Sequence, residues 1–358
     1  RARQSLAERG LDKPVWLNES GVPAWDDYPG PVWDPTSGLR ATMLEQADYT
    51  VQSALYATYA GAENIFHFQL YDACGNQPLG TDFPPHNGEL CDENGNLIYD
   101  DRFPCAGDAN GLFTNPTDAQ CFTQHPNPES PRPNFDAYRV LTTHFRDVEP
   151  LWWLRPDHPD WELARQEWLA FYRPDTGERL LGLWAREGTD ETAVVPATGV
   201  GGLLITPDGN TQTITPAGGY YTLTLPAATN RNAFWDPNLY AIGGRPYLLI
   251  EPDTLAPTIS VSGPAISNGP IYLSWSGDDG LGSGAATYDV QVAIDGGPPA
   301  PWLTGTTETD GLYFASPGQV VTFLVTAYDR AGNGSSPAVH TVQVLDLPHS
   351  TYLPATRR

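Results

Sequence analysis

Basic residues are scarce in this chain, in which Lys13 is the only lysine and 19 lysines and arginines face 43 acidic residues. The formal net charge of −24 argues against nucleic acid as a partner, because nothing would neutralise the phosphates. The same charge disfavours an anionic membrane surface, and no apolar run is long enough to span a bilayer. The composition therefore predicts a soluble protein that acts on neutral ligands, without membrane insertion.

Cysteine is also rare, and its four copies fall in one loop-like region that is rich in Gly, Pro, Asn and Asp. Their wide spacing includes no C-x-x-C pair, which argues against a zinc site. We instead predict two disulfides that cross-link the loop at 73–133, in any of three connectivities, and hence an extracellular or cell-surface location. The residues concerned are Cys74, Cys91, Cys105 and Cys121.

The first part of the chain alternates between strand-like and helix-like patterns. A helix end at 1–10 comes before a short apolar run, a helical pattern at 42–61, a buried strand at 65–71 and a closing helix at 134–148. This order is typical of parallel βα units, and the opening helix end indicates that the chain is the C-terminal piece of a longer polypeptide.

Beyond residue 150 the periodicity changes to short strands separated by turns, such as the Asp-Thr-Gly hairpin signal at 175–177. We predict a multidomain α/β plus all-β chain, in which a partial (β/α)8 barrel with its last βα units precedes two β-sandwich domains. The predicted boundaries are 1–150 for the barrel part, 151–253 and 254–346 for the sandwiches, and 347–358 for a flexible tail.

One motif of chemical interest is KPVWLNESG at residues 13–21, where an apolar run ends in Glu19 and Gly21 follows. Val15, Trp16 and Leu17 favour a strand, so Glu19 stands at its carboxyl end, which is where α/β barrels carry their chemistry. The alternative is a surface carboxylate that marks the exit from a strand into a loop.

Residues 13–148 resemble the last quarter of a clan A glycoside hydrolase barrel, in the manner of families 39 and 5. KPVWLNESG resembles the strand-seven motif, GAENIFHFQLYD resembles strand eight, and PRPNFDAYRVL resembles the start of the closing helix. Residues 151–253 resemble the β domain that commonly follows such barrels. Residues 257–346 resemble bacterial immunoglobulin-like or fibronectin type III modules, through GSGAATYDVQV and VTAYDRAGNGSS.

The resemblance implies that Glu19 is the nucleophile of a retaining glycosidase and that the acid/base glutamate lies upstream of this chain. It places Phe68 where the family commonly has a tryptophan under the sugar, with Tyr71 nearby. Three aromatic residues in the loop after Glu19 either provide replacement platforms for the sugar or pack against the barrel rim. They are Trp25, Tyr28 and Trp33.

The sequence thus favours the C-terminal part of a secreted retaining glycoside hydrolase with a carbohydrate substrate, and no cofactor or metal is expected. The rival hypothesis is a non-catalytic extracellular carbohydrate-binding or adhesion protein built of β-sandwich modules. In either case, the β modules would provide contact with polysaccharide or a cell surface.

Overall fold

A computed structural model describes residues 2–24, 26–27, 41–72, 96–97, 100–104, 109–114, 116, 125, 127–231 and 239–346. The chain divides into two compact units, Arg1–Pro252 and Asp253–Arg358. Within the described ranges the chain is mostly β-sheet with few helices. None of these helices is both long and apolar enough to cross a lipid bilayer.

The first unit carries every helix described and twelve of the described strands. Its helices are α1 (Ala2–Ala7), α2 (Met43–Tyr59) and α3 (Pro133–His144). Its strands are β1 (Trp16–Ser20), β2 (Asn64–His67), β3 (Asn96–Leu97), β4 (Asp100–Pro104), β5 (Glu149–Leu154), β6 (Gln166–Arg173), β7 (Glu178–Ala185), β8 (Glu191–Pro196), β9 (Gly202–Ile205), β10 (Thr211–Ile214), β11 (Tyr220–Leu225) and β12 (Tyr247–Pro252).

Strands β1 and β2 are parallel and are connected through α2, as the order of patterns predicts. The start of α2 is fixed by a capping box, in which Thr42 and Glu45 each accept a hydrogen bond from the other's backbone N–H. This is the βα unit that the described residues contain. The partial barrel predicted from the sequence is not confirmed and stays a prediction.

A six-stranded sheet in the order β10-β9-β12-β7-β6-β5 forms the centre of the first unit. One of its hydrophobic clusters joins α2 and α3 to the sheet through residues such as Leu55, Val140 and Phe171. A second cluster joins the sheet to the β8–β11 pair through residues such as Val195 and Leu223. Because both faces of the sheet are covered, β6 and β7 are buried along almost their whole length.

A buried cluster of charges, the Glu167 cluster, fastens α2 to this sheet. Glu167 on β6 is fully buried and accepts hydrogen bonds from the Tyr56 hydroxyl at 2.8 Å and the Arg155 guanidinium at 2.8–3.0 Å. It also accepts one from the Trp153 indole N–H, and Arg186 lies 3.4 Å away. Burial raises the pKa of Tyr56, and the charge of Glu167 adds to this shift.

The second unit is a two-sheet β-sandwich with its own core. A three-stranded sheet, β13-β15-β18, packs on a five-stranded sheet, β14-β20-β19-β16-β17. The strands are β13 (Thr258–Ser262), β14 (Ile266–Ser267), β15 (Ile271–Asp278), β16 (Ala285–Ile294), β17 (Ala300–Thr306), β18 (Asp310–Tyr313), β19 (Val320–Asp329) and β20 (Ala338–Val344). Strand β19 alternates strictly between buried and half-buried residues, as expected where one face lines a core.

Candidate functional site

Glu19 lies near the carboxyl end of β1 and is exposed. The next residue, Ser20, is buried and its hydroxyl reaches Tyr49 and Ser53 on α2, so Ser20 faces the helix. The pairing of β1 with β2 is irregular between Leu17 and Ser20, and in this stretch Asn18 and Glu19 are both exposed while Ser20 is buried. Among the described residues, the Glu19 carboxylate makes no hydrogen bond or ion pair.

The backbone after Glu19 runs directly against the end of β2. The N–H of Phe68 donates to the Ser20 carbonyl at 2.9 Å, and a Cβ on Gly21 would lie 2.3 Å from the Phe68 carbonyl oxygen. Glycine at position 21 is therefore required by this close approach. The Phe68–Gln69 peptide bond is cis. The end of β1 and Phe68 thus lie at the same edge of the β1–β2 sheet.

Aromatic rings are exposed along this part of the first unit. Trp16 and Phe66 are 59% and 48% exposed, and their ring centroids lie 5.9 Å apart across β1 and β2. Phe68 is 38% exposed. Tyr71 is 39% exposed and its ring centroid lies 5.6 Å from that of Phe113. Apolar rings that are left in water in this way are typical of a surface that binds something.

A buried ion-pair network, the Arg132 network, joins the loops that follow β1 and β2. The Arg132 side chain is 2% exposed and donates to Asp27 at 2.6 Å and to both oxygens of Asp72, at 2.6 Å for Oδ1. Asp72 also accepts from the Gly111 N–H at 2.7 Å, and Asp27 lies 3.1 Å from His125. Four separate chain segments are held together by one guanidinium.

Burial raises the pKa of Asp72, against the opposing effect of the hydrogen bonds and charge of Arg132. Burial lowers the pKa of Arg132, but the hydrogen bonds and charges of Asp72 and Asp27 together raise it above its usual value. The sequence analysis missed Asp27, His125 and Arg132. Arg132 has one signal in the sequence, its position immediately before α3.

A groove of about 620 Å³ opens on the side of the β1–β2 sheet that carries the helices, between α2, α3 and the segment at 145–150. It is lined by Ser20, His67 and Tyr138, among others, and Glu19 is not part of it. Burial lowers the pKa of His67, whose ring packs near Tyr138. His67 is therefore a packed histidine on the helix side of the β1–β2 sheet.

Several predicted site residues lie outside the described part of the chain. They are the aromatic residues Trp25, Tyr28 and Trp33 and the cysteines Cys74, Cys91, Cys105 and Cys121. The platforms in the loop after Glu19 and the two disulfides accordingly stay predictions.

Three carboxylates of the second unit lie close together, with one oxygen of each within 4.8 Å of the others. They belong to Asp253, Asp279 and Asp329. Five of their six oxygens accept hydrogen bonds, from Leu255, Ser283, Gly284 and Asn333. Burial raises the pKa of Asp279 to about 6, and the charges of Asp253 and Asp329 add to the shift. The Ser283 N–H joins Asp253 to the loop between β15 and β16, and the Asn333 side-chain amide, which also donates to Asp329, donates to the Asp253 carbonyl at 3.0 Å, so the cluster links three segments of the chain.

No protein-family model matches the chain, and no curated protein matches it. Solved structures that resemble it include a family 39 glycoside hydrolase from Bacteroides cellulosilyticus WH2, with 18% identity, a TM-score of 0.39 and coverage of 70% of this chain. A fibronectin type III-like protein from Clostridium thermocellum has 22% identity and a TM-score of 0.21, over 26% of this chain and 100% of its own. A β-1,2-glucanase from Parabacteroides distasonis has 13% identity and a TM-score of 0.19, over 52% of this chain and 33% of its own.

These neighbours are of the two kinds that the sequence resembles, glycoside hydrolases and fibronectin type III-like modules. This chain spans 37% of the length of the family 39 enzyme. Every TM-score quoted is below 0.5.

Proposed function

We propose that this chain is the C-terminal part of a retaining glycoside hydrolase and that Glu19 is its nucleophile. The observation that carries the proposal is the position of Glu19, which is exposed near the carboxyl end of a parallel strand, directly before the buried Ser20 that faces α2. In a closed βα barrel the carboxyl ends of the strands form the active site. The exposed rings of Trp16 and Phe66 on the same sheet support an origin in a larger sheet.

The chemistry assigned to Glu19 proceeds in two steps. Its carboxylate attacks the anomeric carbon while the glycosidic C–O bond breaks and a second, protonated carboxyl group gives its proton to the leaving oxygen. Water then attacks the glycosyl ester, gives a proton back to the second carboxylate, and releases Glu19. The second carboxyl must lie roughly 5 Å away, and the family resemblance assigns it to barrel strands upstream of this chain.

The substrate class that fits is neutral carbohydrate. The strong negative charge of the chain would repel anionic polymers, and the exposed Phe68 ring beside the end of β1 offers an apolar face on which a pyranose can stack. An extracellular or cell-surface location is part of the proposal and rests on the four clustered cysteines.

A second candidate function is non-catalytic binding of carbohydrate or adhesion. It is favoured by the second unit, a complete β-sandwich whose outer face exposes Tyr272 and Leu312 in a cross-strand pair, followed by Phe314. Under this hypothesis Glu19 is a surface carboxylate without a chemical role.

Glu19→Gln tests the proposal in the protein that carries this chain together with its upstream barrel strands. We expect kcat/KM for aryl glycosides to fall by about 1,000-fold or more, because the amide cannot form the glycosyl ester. Glu63→Gln is the matched control, since Glu63 is exposed just before β2 and pairs with the exposed Arg3 at 3.4 Å; we expect it to leave turnover unchanged.

A 2-deoxy-2-fluoro glycoside provides a second readout, because it traps the glycosyl ester. Peptide mass spectrometry is expected to locate the label on the peptide that contains Glu19. Undiminished turnover in Glu19→Gln, or a label on another residue, would contradict the assignment. Saturable binding of oligosaccharide by an unmodified protein that shows no turnover would favour the binding function.

A further inference from the structure

Asp48 lies on α2, and its carboxylate is buried where the helix packs on the rest of the first unit. It has no role in the proposed chemistry. It is 7% exposed, and its Oδ1 has no hydrogen-bond partner among the described residues. One turn further along α2, the Gln52 side chain donates to the Gly244 carbonyl at 2.9 Å and accepts from the Gly243 N–H at 3.0 Å. Asp48 therefore belongs to the stretch of α2 that is docked on the rest of the unit.

Three charged groups act on Asp48, and two of them are negative. Glu45 lies on α2 itself, Asp208 lies in the turn between β9 and β10, and Arg245 lies just before β12. The one favourable charge is shared, because Arg245 already pairs with Asp208 at 2.9 Å. An ionised Asp48 would thus make three carboxylates around one guanidinium, in a place that offers its Oδ1 no donor.

We propose that Asp48 makes the docking of α2 sensitive to pH, so that the helix is held tightly when this carboxyl group is neutral and loosened when it ionises. The carboxylate is buried, its Oδ1 has no hydrogen-bond partner among the described residues, and Glu45 lies three residues earlier on the same helix. Burial, together with Glu45 and Asp208, raises the pKa of Asp48 to about 7, against the opposing charge of Arg245. The inference does not depend on the glycosidase proposal.

Loosening of α2 would reach the segment that follows Glu19. The side-chain amide of Gln46, which is fully buried, donates to the Val22 carbonyl at 2.7 Å and to the Ala109 carbonyl at 2.8 Å. Val22 lies three residues after Glu19 in the chain. The position of this loop is therefore expected to become less fixed as Asp48 loses its proton.

The direction of the pH effect follows from the pKa in the two states. Because the folded-state pKa of about 7 is above the unfolded value of 3.8, the contribution of Asp48 to stability is greatest below pH 3.8 and is lost as pH rises to 7. Between pH 5 and pH 7 this single group is expected to raise the unfolding equilibrium constant of the first unit on the order of 100-fold, tenfold for each pH unit.

Asp48→Asn tests the proposal, because the amide cannot ionise. Unfolding in urea is measured from pH 5 to pH 8, and hydrogen–deuterium exchange of peptides from α2 monitors it. We expect the rise of the unfolding equilibrium constant with pH to be about 100-fold smaller in the variant than in the unmodified protein. The control is Asp136→Asn, at an exposed position on α3, which is expected to keep the full increase. An Asp48→Asn profile parallel to that of the unmodified protein would overturn the proposal.

A measurement on the unmodified protein decides the matter if Asp48→Asn does not fold. After correction for the intrinsic exchange rate, amides at 46–55 are expected to exchange faster at pH 8 than at pH 5.5, by about 30-fold. Peptides from β19, in the core of the second unit, serve as the internal reference. Equal corrected rates for α2 at the two pH values would overturn the proposal.

Discussion

Arg132→Met is expected to lower the free energy of unfolding of the first unit by about 3–5 kcal/mol at neutral pH. The guanidinium is 2% exposed, and its removal leaves two largely buried carboxylates, Asp27 and Asp72, without their shared cation. Such carboxylates are costly when charged and much less so when protonated. The deficit is therefore expected to be smaller at pH 4 than at pH 7, because burial already raises the pKa of Asp72.

The matched control for this change is Arg139→Met, on the same helix. Arg139 is 61% exposed and pairs with Asp136 one turn earlier, so its loss is expected to cost less than about 1 kcal/mol. Arg132→Lys is expected to fall between the two, since an ammonium keeps the charge but cannot reach both carboxylates in the same way. Equal losses for Arg132→Met and Arg139→Met, measured by urea unfolding, would show that the network does not stabilise the fold.

Glu167→Gln is expected to cost a similar amount, about 3–5 kcal/mol, at the Glu167 cluster, which attaches α2 to the six-stranded sheet. The amide has nearly the same shape but no charge, so Arg155 and Arg186 would face a neutral group inside the protein. In addition, its NH2 would meet at least one of the donors that now point at the carboxylate, from Tyr56 or Trp153. Urea unfolding monitored on peptides from β6 measures the loss.

A double-mutant cycle with Tyr56→Phe separates the contact between α2 and the sheet from the rest of the cluster. We expect a coupling of about 0.5–3 kcal/mol between positions 56 and 167, because the hydroxyl and the carboxylate are 2.8 Å apart. Glu187→Gln is the control, since Glu187 is 49% exposed and its nearest basic partner is 3.8 Å away. Additive effects at positions 56 and 167 would contradict the role given to this hydrogen bond.

Local patterns in the sequence predict most of the elements around the site. The apolar spacing of α2 and its Thr42–Glu45 cap are both local signals, and the structure has the helix at Met43–Tyr59. The Asp-Thr-Gly signal predicts the β6–β7 hairpin, in which Gly177 has a φ of +72°. The proximity of Glu19 and Phe68 follows from parallel strands ending at one edge. Each of these rests on residues that are close together in the chain, or on a general rule of strand order.

The contacts that hold the site together join residues that are far apart in the chain, so local patterns do not predict them. Asp27, Asp72 and Arg132 lie in loops that have no periodicity, and they meet only because β1, β2 and α3 bring their ends together. The boundary predicted at residue 150 reflects a real change of pattern, from helix to strand. No pattern in the strands shows that α2 and α3 cover one face of the sheet that follows, since long apolar runs such as β6 fit a sandwich equally well.

The shared core of α2, α3 and the six-stranded sheet bears on how such a protein can be rearranged in evolution. A gene fusion at residue 150 that joined the helical part to a different sheet would expose to water the apolar face of the helices and the apolar face of the sheet. A fusion at residues 252–253 would cut between two units that each keep an intact interior. Exchange of the C-terminal sandwich is thus the easier recombination, and homologues are expected to differ in that module before they differ in the pairing of helices and sheet.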